Sequence, residues 1–266
     1  MNKMKLKRDL LIGHIREREE RALLAKVLDR VEIVLTNHRP MLTNFHDPYH
    51  TGLIISVLER ITDIEFATEG GFPIAERVRT VIFPDYMTLE EVDFEMSLLS
   101  ITGNFKMNKV SHRDFLGAIL SLGIKREMIG DLLVTGEGCQ VLVANDVASY
   151  LRANLTKVQR VGVEVSQLEM DKLVLPEKAV KEIRSTVASL RLDAIAASGF
   201  STSRSRIARE IQAEKLSLNW QTCSNVSAGI REGDMISMRG RGRVEVAEVK
   251  GNTRSGRISI LLRRYL

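Results

Sequence analysis

The 266 residues are 44% hydrophobic and 27% charged, the balance of an ordinary globular protein, and they carry a formal net charge of +5. No run of about 18 apolar residues occurs, so no membrane-spanning helix is expected. The start, MNKMKLKRDLLIGHIRERE, has an apolar run of only LLIG and then turns acidic, which fits neither a signal nor a transit peptide. Two widely separated cysteines, Cys139 and Cys223, have no CxxC pairing and point to a reducing cytoplasm. The charge is unevenly spread. Ile183–Leu266 holds 15 Lys+Arg against 7 Asp+Glu, and 13 of the 15 are arginine; the first 182 residues carry a net −3. Arginine forks match phosphate oxygens and stack on bases, so the C-terminal third favours a nucleic-acid partner over a merely solvated basic surface.

In chain order, one long helical pattern covers Arg8–Thr36, with Leu24, Val27, Leu28, Val31, Val34 and Leu35 in a single stripe, and ends across Asn37–Pro40. A second helix is expected over Pro48–Arg60. Strand, turn and strand follow at Ile64–Ala67, Glu69–Gly71 and Val78–Phe83. Next come a strand at Val92–Ile101, a helix at Arg113–Leu122 capped by Ser111, strands at Leu132–Thr135 and Gln140–Ala144, a helix at Val147–Asn154 capped by Asn145 or Asp146, and a strand at Val161–Val165. This β-α-β-β-α-β order is the split βαβ, ferredoxin-like arrangement. RNA-binding versions display aromatics on the central strands, and here only Phe94 is on offer, so sheet-face binding is a weak expectation. Leu168–Val187 reads as a connector with a short helix near Lys178–Ile183. Helices at Leu190–Ala197 and Arg204–Glu214 precede strands at Leu216–Asn219, Met235–Arg239, Val244–Lys250 and Ile258–Leu262.

The fold class read from this pattern is α+β. The predicted division is 1–90 (helical, α+β), 91–167 (ferredoxin-like), 168–187 (connector) and 188–266 (an RNA-binding unit).

The stretch FSTSRSRIAREI at 200–211 poses an electrostatic question. Ser201, Thr202 or Ser203 can cap a helix, yet Arg204, Arg206 and Arg209 stand where the helix dipole disfavours cations. A polyanion would neutralise them, with Arg206 and Arg209 on one face and Ile207, Ala208 and Ile211 on the other. The bland alternative pairs these arginines with Glu210, Glu214 or Asp193. Trp220, the only tryptophan, is either a core anchor or a platform for a base.

Other motifs resolve toward structure. His112-Arg113-Asp114 imitates a kinase catalytic loop, but no Gly-rich loop, DFG or correctly spaced Asn accompanies it, so it reads as a helix cap. His46 and His50 stand four apart with Pro48 between them, a poor metal helix. Cys139 has no neighbouring His and reads as a structural thiol. Arg77 and Arg79 leave one strand face, either as a second RNA contact or as a solvated edge.

The stretch from Arg191 to Arg243 resembles the S4 RNA-binding domain. The resemblance rests on RLD (Arg191–Asp193), GF (Gly199–Phe200), SRS (Ser203–Ser205), LSLN (Leu216–Asn219) and GDMISMRGRGR (Gly233–Arg243). Members of that family commonly have glycine at positions matching Glu214 and Trp220. EGGFPIAERVR (Glu69–Arg79), FPDY (Phe83–Tyr86) and HRDFLGAILSLGIKREMIGDLL (His112–Leu133), in this order with the S4 stretch, resemble the bacterial YlmH family over nearly the whole chain. That resemblance implies a cytoplasmic RNA-binding protein of the large ribosomal subunit, engaging peptidyl-tRNA in ribosome-associated quality control. It also carries a cell-division label.

The RNA-contacting residues expected on these grounds are Arg191, Ser203, Arg204, Ser205, Arg206, Arg209, Lys215, Asn219, Trp220 and Arg241. The expected partners are large-subunit rRNA and tRNA, with no membrane, cofactor or metal, and the expected oligomeric state is a monomer. An RNA-modifying enzyme targeted by an S4 unit, and a cell-division adaptor, are the competing readings. The former would need a catalytic Asp motif, which the N-terminal part does not show.

Overall fold

The computed structural model describes residues 6–105, 110–176, 180–253 and 256–265. It is a mixed α+β chain in two compact units, Met1–Pro176 and Glu177–Leu266.

The first unit opens with two helices where one was expected, α1 (Arg8–Ile12) and α2 (Arg18–Asn37). Gly13 ends α1, its N–H bonding to Asp9 O. The break lets Leu11 and Ile12 join the buried stripe of α2, Leu24, Val27, Leu28, Val31 and Val34. A continuous helix would carry them away from that stripe. Arg8 secures the arrangement through Asp29 (2.7 Å) and Glu32 (2.9 Å). His38, in the left-handed region (φ 55°), ends α2.

β1 (Met41–Leu42) leads into α3 (Pro48–Leu58), which begins as proline chemistry dictates: Pro48 stands in the first turn and Asp47 caps it by accepting from His50 N at 3.0 Å. β2 (Ile64–Glu69) and β3 (Arg79–Pro84) complete an antiparallel sheet of order β1-β3-β2. All of β3 is buried.

β4 (Met96–Gly103), α4 (His112–Ser121), β5 (Ile129–Val134), β6 (Gly138–Ala144), α5 (Asn145–Asn154), the short β7 (Lys157–Val158) and β8 (Val161–Leu168) follow. The sheet order is β5-β6-β4-β8-β7, antiparallel at every pairing. Leu99, Ile101, Val141, Val143 and Ile129 pack with Phe115 and Ile119 of α4 and Ala148 and Leu151 of α5. Ser111 caps α4 in a capping box with Asp114 (2.8 and 2.6 Å), so the HRD motif is helix-start chemistry. At α5 the cap position is Ala144, not Asn145 or Asp146; Asn145 instead accepts from Ser97 Oγ at 2.7 Å across the sheet.

Phe94 precedes β4 and is no sheet-face platform. Strand alternation puts Leu98, Ser100, Thr102, Gln140 and Leu142 on the face away from that helical core. Gln140 ties chain across it, donating to Lys172 O (3.0 Å) and accepting from Val174 N (2.7 Å).

Arg77 and Arg79 do not form a solvated strand face: Arg79 is buried, Arg77 is half-buried, and both guanidinium groups are hydrogen-bonded to backbone carbonyls. Arg79 is 5% exposed and donates to Thr43 O, Phe94 O and Glu95 O. Arg77 donates to Phe45 O and Ile129 O. Each guanidinium satisfies carbonyls of the surrounding loops, a role that strand alternation alone does not reveal.

The second unit begins with β9 (Val180–Val187), a strand where a short helix near Lys178–Ile183 was expected; Lys178 and Ala179 lie outside the described residues. Its β-branched residues suit an edge strand, and it pairs with the C-terminal β14 (Ile258–Tyr265) along all eight residues. Between them lie α6 (Leu192–Gly199), α7 (Arg204–Gln212), β10 (Leu216–Leu218), β11 (Gln221–Thr222), β12 (Met235–Met238) and β13 (Gly242–Asn252), giving the order β11-β10-β12-β13-β14-β9. Leu192, Ile195, Phe200, Ile207 and Ile211 pack onto Leu216, Ile236, Val244 and Leu262. Gly199 lies so close to Val244 that a Cβ there would meet its methyl at 2.6 Å, which explains the Gly199-Phe200 pair.

Candidate nucleic-acid interface

The serine-rich link between α6 and α7 divides its labour. Ser201 (φ 51°) closes α6 with its N–H on Ser198 O, while Thr202 N–H reaches Ala197 O, the paired bonds of a Schellman stop. Ser203 caps α7, its Oγ accepting from Arg206 N at 3.3 Å and lying 3.2 Å from Ser205 Oγ. Ile207 and Ile211 are fully buried, which fixes the helix rotation and turns Arg206 and Arg209 outward. Arg209 Nε makes only a long contact with Ser205 O (3.4 Å) in its own helix. Neither arginine has a salt-bridge partner among the described residues, so this face of α7 presents two exposed cations, Arg206 within the field of Glu210.

Arg204 differs. Its guanidinium bonds Asp193 (Nη2–Oδ2 2.5 Å), and Arg191 Nε takes the other carboxylate oxygen at 3.1 Å. The pairing weighed as the bland alternative holds for Arg204. The Asp193 side chain is 7% exposed, while Arg204 and Arg191 remain about half exposed at 54% and 42%. Burial alone would raise the Asp193 pKa, but the hydrogen bonds from Arg204 and Arg191 outweigh it and leave the carboxyl below its usual range. A buried carboxylate therefore holds two arginines side by side at the N-terminal ends of α6 and α7 while their outer edges meet solvent.

A second hub forms around Glu210. Lys215 Nζ bonds its carboxylate at 2.9 Å, and Arg206 and Arg241 lie near enough for their fields to act on it. The Lys215 hydrogen bond, then these fields, lower its pKa and keep it ionised. Three predicted cations thus converge on one helix edge. Arg241 also lies 3.5 Å from Phe200 O.

Asn219 and Trp220 form the two-residue turn between β10 and β11, with φ 49° and 66°. Both values are positive, as a type I′ turn requires. The Asn219 amide is committed to the fold: Oδ1 accepts from Met235 N and Nδ2 donates to Asp234, both at 2.9 Å. Trp220 projects from the turn half-buried, in a left-handed conformation that bulky residues rarely adopt. Glu214 also has positive φ (55°) and closes α7, with its N–H on Ile211 O and Lys215 N–H on Glu210 O. Both positions where the resembling family commonly has glycine therefore have left-handed backbone, as Ser201 and Asn219 also do.

Sequence reasoning named Asp193 and Glu210 only as partners in the bland alternative and did not show that each gathers several cations. Asp193 could have been found from its place in α6: an acid in a first turn otherwise made of Leu and Ala, beside a run of cations, is a poor candidate for burial unless paired.

Comparison with known proteins adds the family. Residues 90–172 match the family model described as "Putative RNA-binding domain in YlmH", and residues 19–87 match "YlmH, N-terminal". The chain belongs to the YlmH family. It is 33% identical over 251 residues to "Ribosome-associated protein quality control protein P2" of Bacillus subtilis (strain 168), covering 94% of this chain and 97% of that protein. A solved structure, "Cell division protein ylmH from Streptococcus pneumoniae", is 29% identical with a TM-score of 0.51, covering 60% of this chain and 96% of that one. Among the described residues, no helix is long and apolar enough to cross a membrane.

Proposed function

We propose that this YlmH-family chain is a non-enzymatic RNA-binding protein of bacterial ribosome-associated quality control. Its second unit would act as an S4-type module gripping structured rRNA of the large subunit and tRNA. The carrying observation is the exposed Arg206–Arg209 face of α7, without a salt-bridge partner among the described residues, with Arg206 in the first turn, where the helix dipole disfavours a cation unless an anion arrives, and Arg209 in the last. The named function of the Bacillus relative supports the ribosomal context.

Arg191 and Arg204, held by Asp193, and Lys215 and Arg241, gathered at Glu210, extend the cationic surface. Ser203 and Ser205 add hydroxyls at the α7 start. Trp220 supplies a flat face at the turn, while Asn219 shapes that turn more than it contacts RNA.

In the first unit, the strand order β5-β6-β4-β8 with helices after the first and third of these strands in the chain supports the split βαβ reading. Its central strands lack stacking aromatics, so we assign the principal grip to the second unit. The separate family-model matches at 19–87 and 90–172 support a division near 90, while the expected connector 168–187 gives up β9 to the second unit's sheet.

Two observations favour binding over catalysis. The HRD aspartate is spent on a helix cap, and burial pushes the Cys139 thiol up to about 12, leaving it inert as a nucleophile. A cytoplasmic monomer completes the proposal. The cell-division title of the Streptococcus structure favours one second reading, a protein adaptor.

The test measures binding to purified large-subunit rRNA and to tRNA across a salt series, for wild type and for Arg206→Ala/Arg209→Ala. Loss of affinity in a folded double variant supports the proposal. Equal binding by both proteins refutes it, and partner capture that survives the double substitution favours the adaptor.

A further inference from the structure

A cavity of about 290 Å³ lies in the first unit, between one face of α2, the loop joining β1 to α3, and the turn before β5. Its apolar wall includes Leu23 and Val27. Lys26 and Arg30 of α2 bring cations, and Asn44, His46 and Glu127 bring neutral and acidic hydrogen-bonding groups.

These polar groups are largely unspent. Arg30 has five N–H donors and, among the described residues, makes one hydrogen bond, to Lys26 O in its own helix (3.2 Å). Partial burial strips water from this guanidinium and lowers its pKa, with Glu127 near enough to oppose that effect by its charge. His46 is half-buried. Its backbone pairs with Val78, but its ring makes no hydrogen bond among the described residues. Burial, with the charges of His50 and Arg77, holds its pKa down at about 4, so the ring is neutral at pH 7 and offers one donor and one acceptor. The Asn44 side-chain amide likewise makes no hydrogen bond among the described residues.

A simple anion site would not place Glu127 and Glu19 in its lining beside the cations. A nucleotide meets both charges. Its phosphate seeks Arg or Lys, its flat faces seek apolar wall, and the edge of guanine, cytosine or adenine offers N–H groups that a carboxylate or amide oxygen accepts. The cavity is too small for a large ligand and suits one unstacked unit.

We propose that this cavity is a second RNA contact that takes a single splayed-out nucleotide, its phosphate on Lys26 and Arg30 and its base edge on Asn44, His46 and Glu127. The proposal rests on the RNA-binding reading and deepens it, moving part of the recognition to a unit whose sheet face lacks aromatics. Base-edge contacts would give that contact sequence preference, which phosphate contacts on α7 do not supply.

The test titrates the isotope-labelled full chain with each nucleoside 5′-monophosphate to about 10 mM, enough to detect dissociation constants on the order of 1 mM. A single-stranded RNA ten-mer of mixed sequence forms the second arm. The readouts are the His46 ring and Asn44 amide signals. Saturable shifts in both arms, weakened about tenfold or more in Arg30→Met, support the proposal; methionine keeps the aliphatic packing, and Asn44→Asp serves as the second variant.

Silence of both signals with every nucleotide overturns the proposal, as does an undiminished response in both variants. Mononucleotide binding that the ten-mer cannot displace makes this a free-nucleotide site and overturns the RNA assignment. Measuring rRNA binding in parallel separates the failures. A silent cavity with α7-dependent rRNA binding ends this inference alone, whereas wild-type protein that binds no RNA ends the wider reading too.

Discussion

Replacing Asp193 by asparagine leaves shape and one acceptor in place but removes the charge that Arg191 and Arg204 share. Three guanidinium hydrogen bonds, at 2.5, 3.1 and 3.2 Å, end on a carboxylate that is only 7% exposed. Breaking a fully buried pair costs about 3–5 kcal/mol. Here both arginines are about half exposed and rehydrate when released, so the expected loss is about 2 kcal/mol. For a unit of this size that corresponds to a fall in midpoint temperature of roughly 8–16 °C. Trp220 is the only tryptophan and lies in the second unit, so its fluorescence in a urea titration reports that unit alone. The folded pKa of Asp193 is lowered, so its contribution is complete above the ordinary carboxyl value and disappears as pH falls through the folded one. The gap between wild type and Asp193→Asn is therefore constant near neutrality and closes below roughly pH 4. A difference under about 0.5 kcal/mol at pH 7, or a gap that persists undiminished in acid, contradicts the role given to Asp193.

Glu214→Gly relieves left-handed strain of about 1–2 kcal/mol against an added backbone entropy cost of about 0.5–1, so the second unit gains about 0.5–1 kcal/mol in the same titration. Trp220→Gly relaxes its turn similarly but loses RNA affinity by about 1–3 kcal/mol in filter binding, separating strain from stacking. Removing Arg206 and Arg209 lowers the slope of log affinity against log salt by about 1.5–2, measured between about 50 and 200 mM salt. In the first unit, the His46 pKa falls from 6.5 to about 4, so stability declines as acid is added across that window. His46→Gln flattens the decline in thermal melts followed by circular dichroism.

Much of the architecture was legible because local rules agreed with the packing. The stripe of α2, the Ser111–Asp114 start of α4 and the strand order around Gly136–Gly138 all carry their own signals. The failures have physical causes. Arg8–Thr36 reads as one helix because periodicity cannot register that Leu11 and Ile12 gain burial only by folding back at Gly13. β9 was hidden because its residues are mostly exposed and its identity depends on β14, some seventy positions away. At the interface, the chemistry of α7 was visible in its arginines, and Ile207 and Ile211 set the direction they face. The Arg204–Asp193 pairing was one of the sequence alternatives, but that one buried carboxylate is shared by Arg204 and Arg191 depends on how α6 and α7 pack. Nor does alternation reveal that Arg77 and Arg79 point inward to carbonyls.

The most direct test of the central claim is sedimentation of the chain with large ribosomal subunits through a density gradient, comparing wild type with Arg206→Ala/Arg209→Ala. Arg204 stays intact because its loss would also disturb Asp193. Wild type travelling with the large subunit while the folded double variant remains at the top is the predicted result. Equal travel by both proteins, or wild type left at the top, contradicts the assignment of the α7 face as the ribosomal RNA anchor.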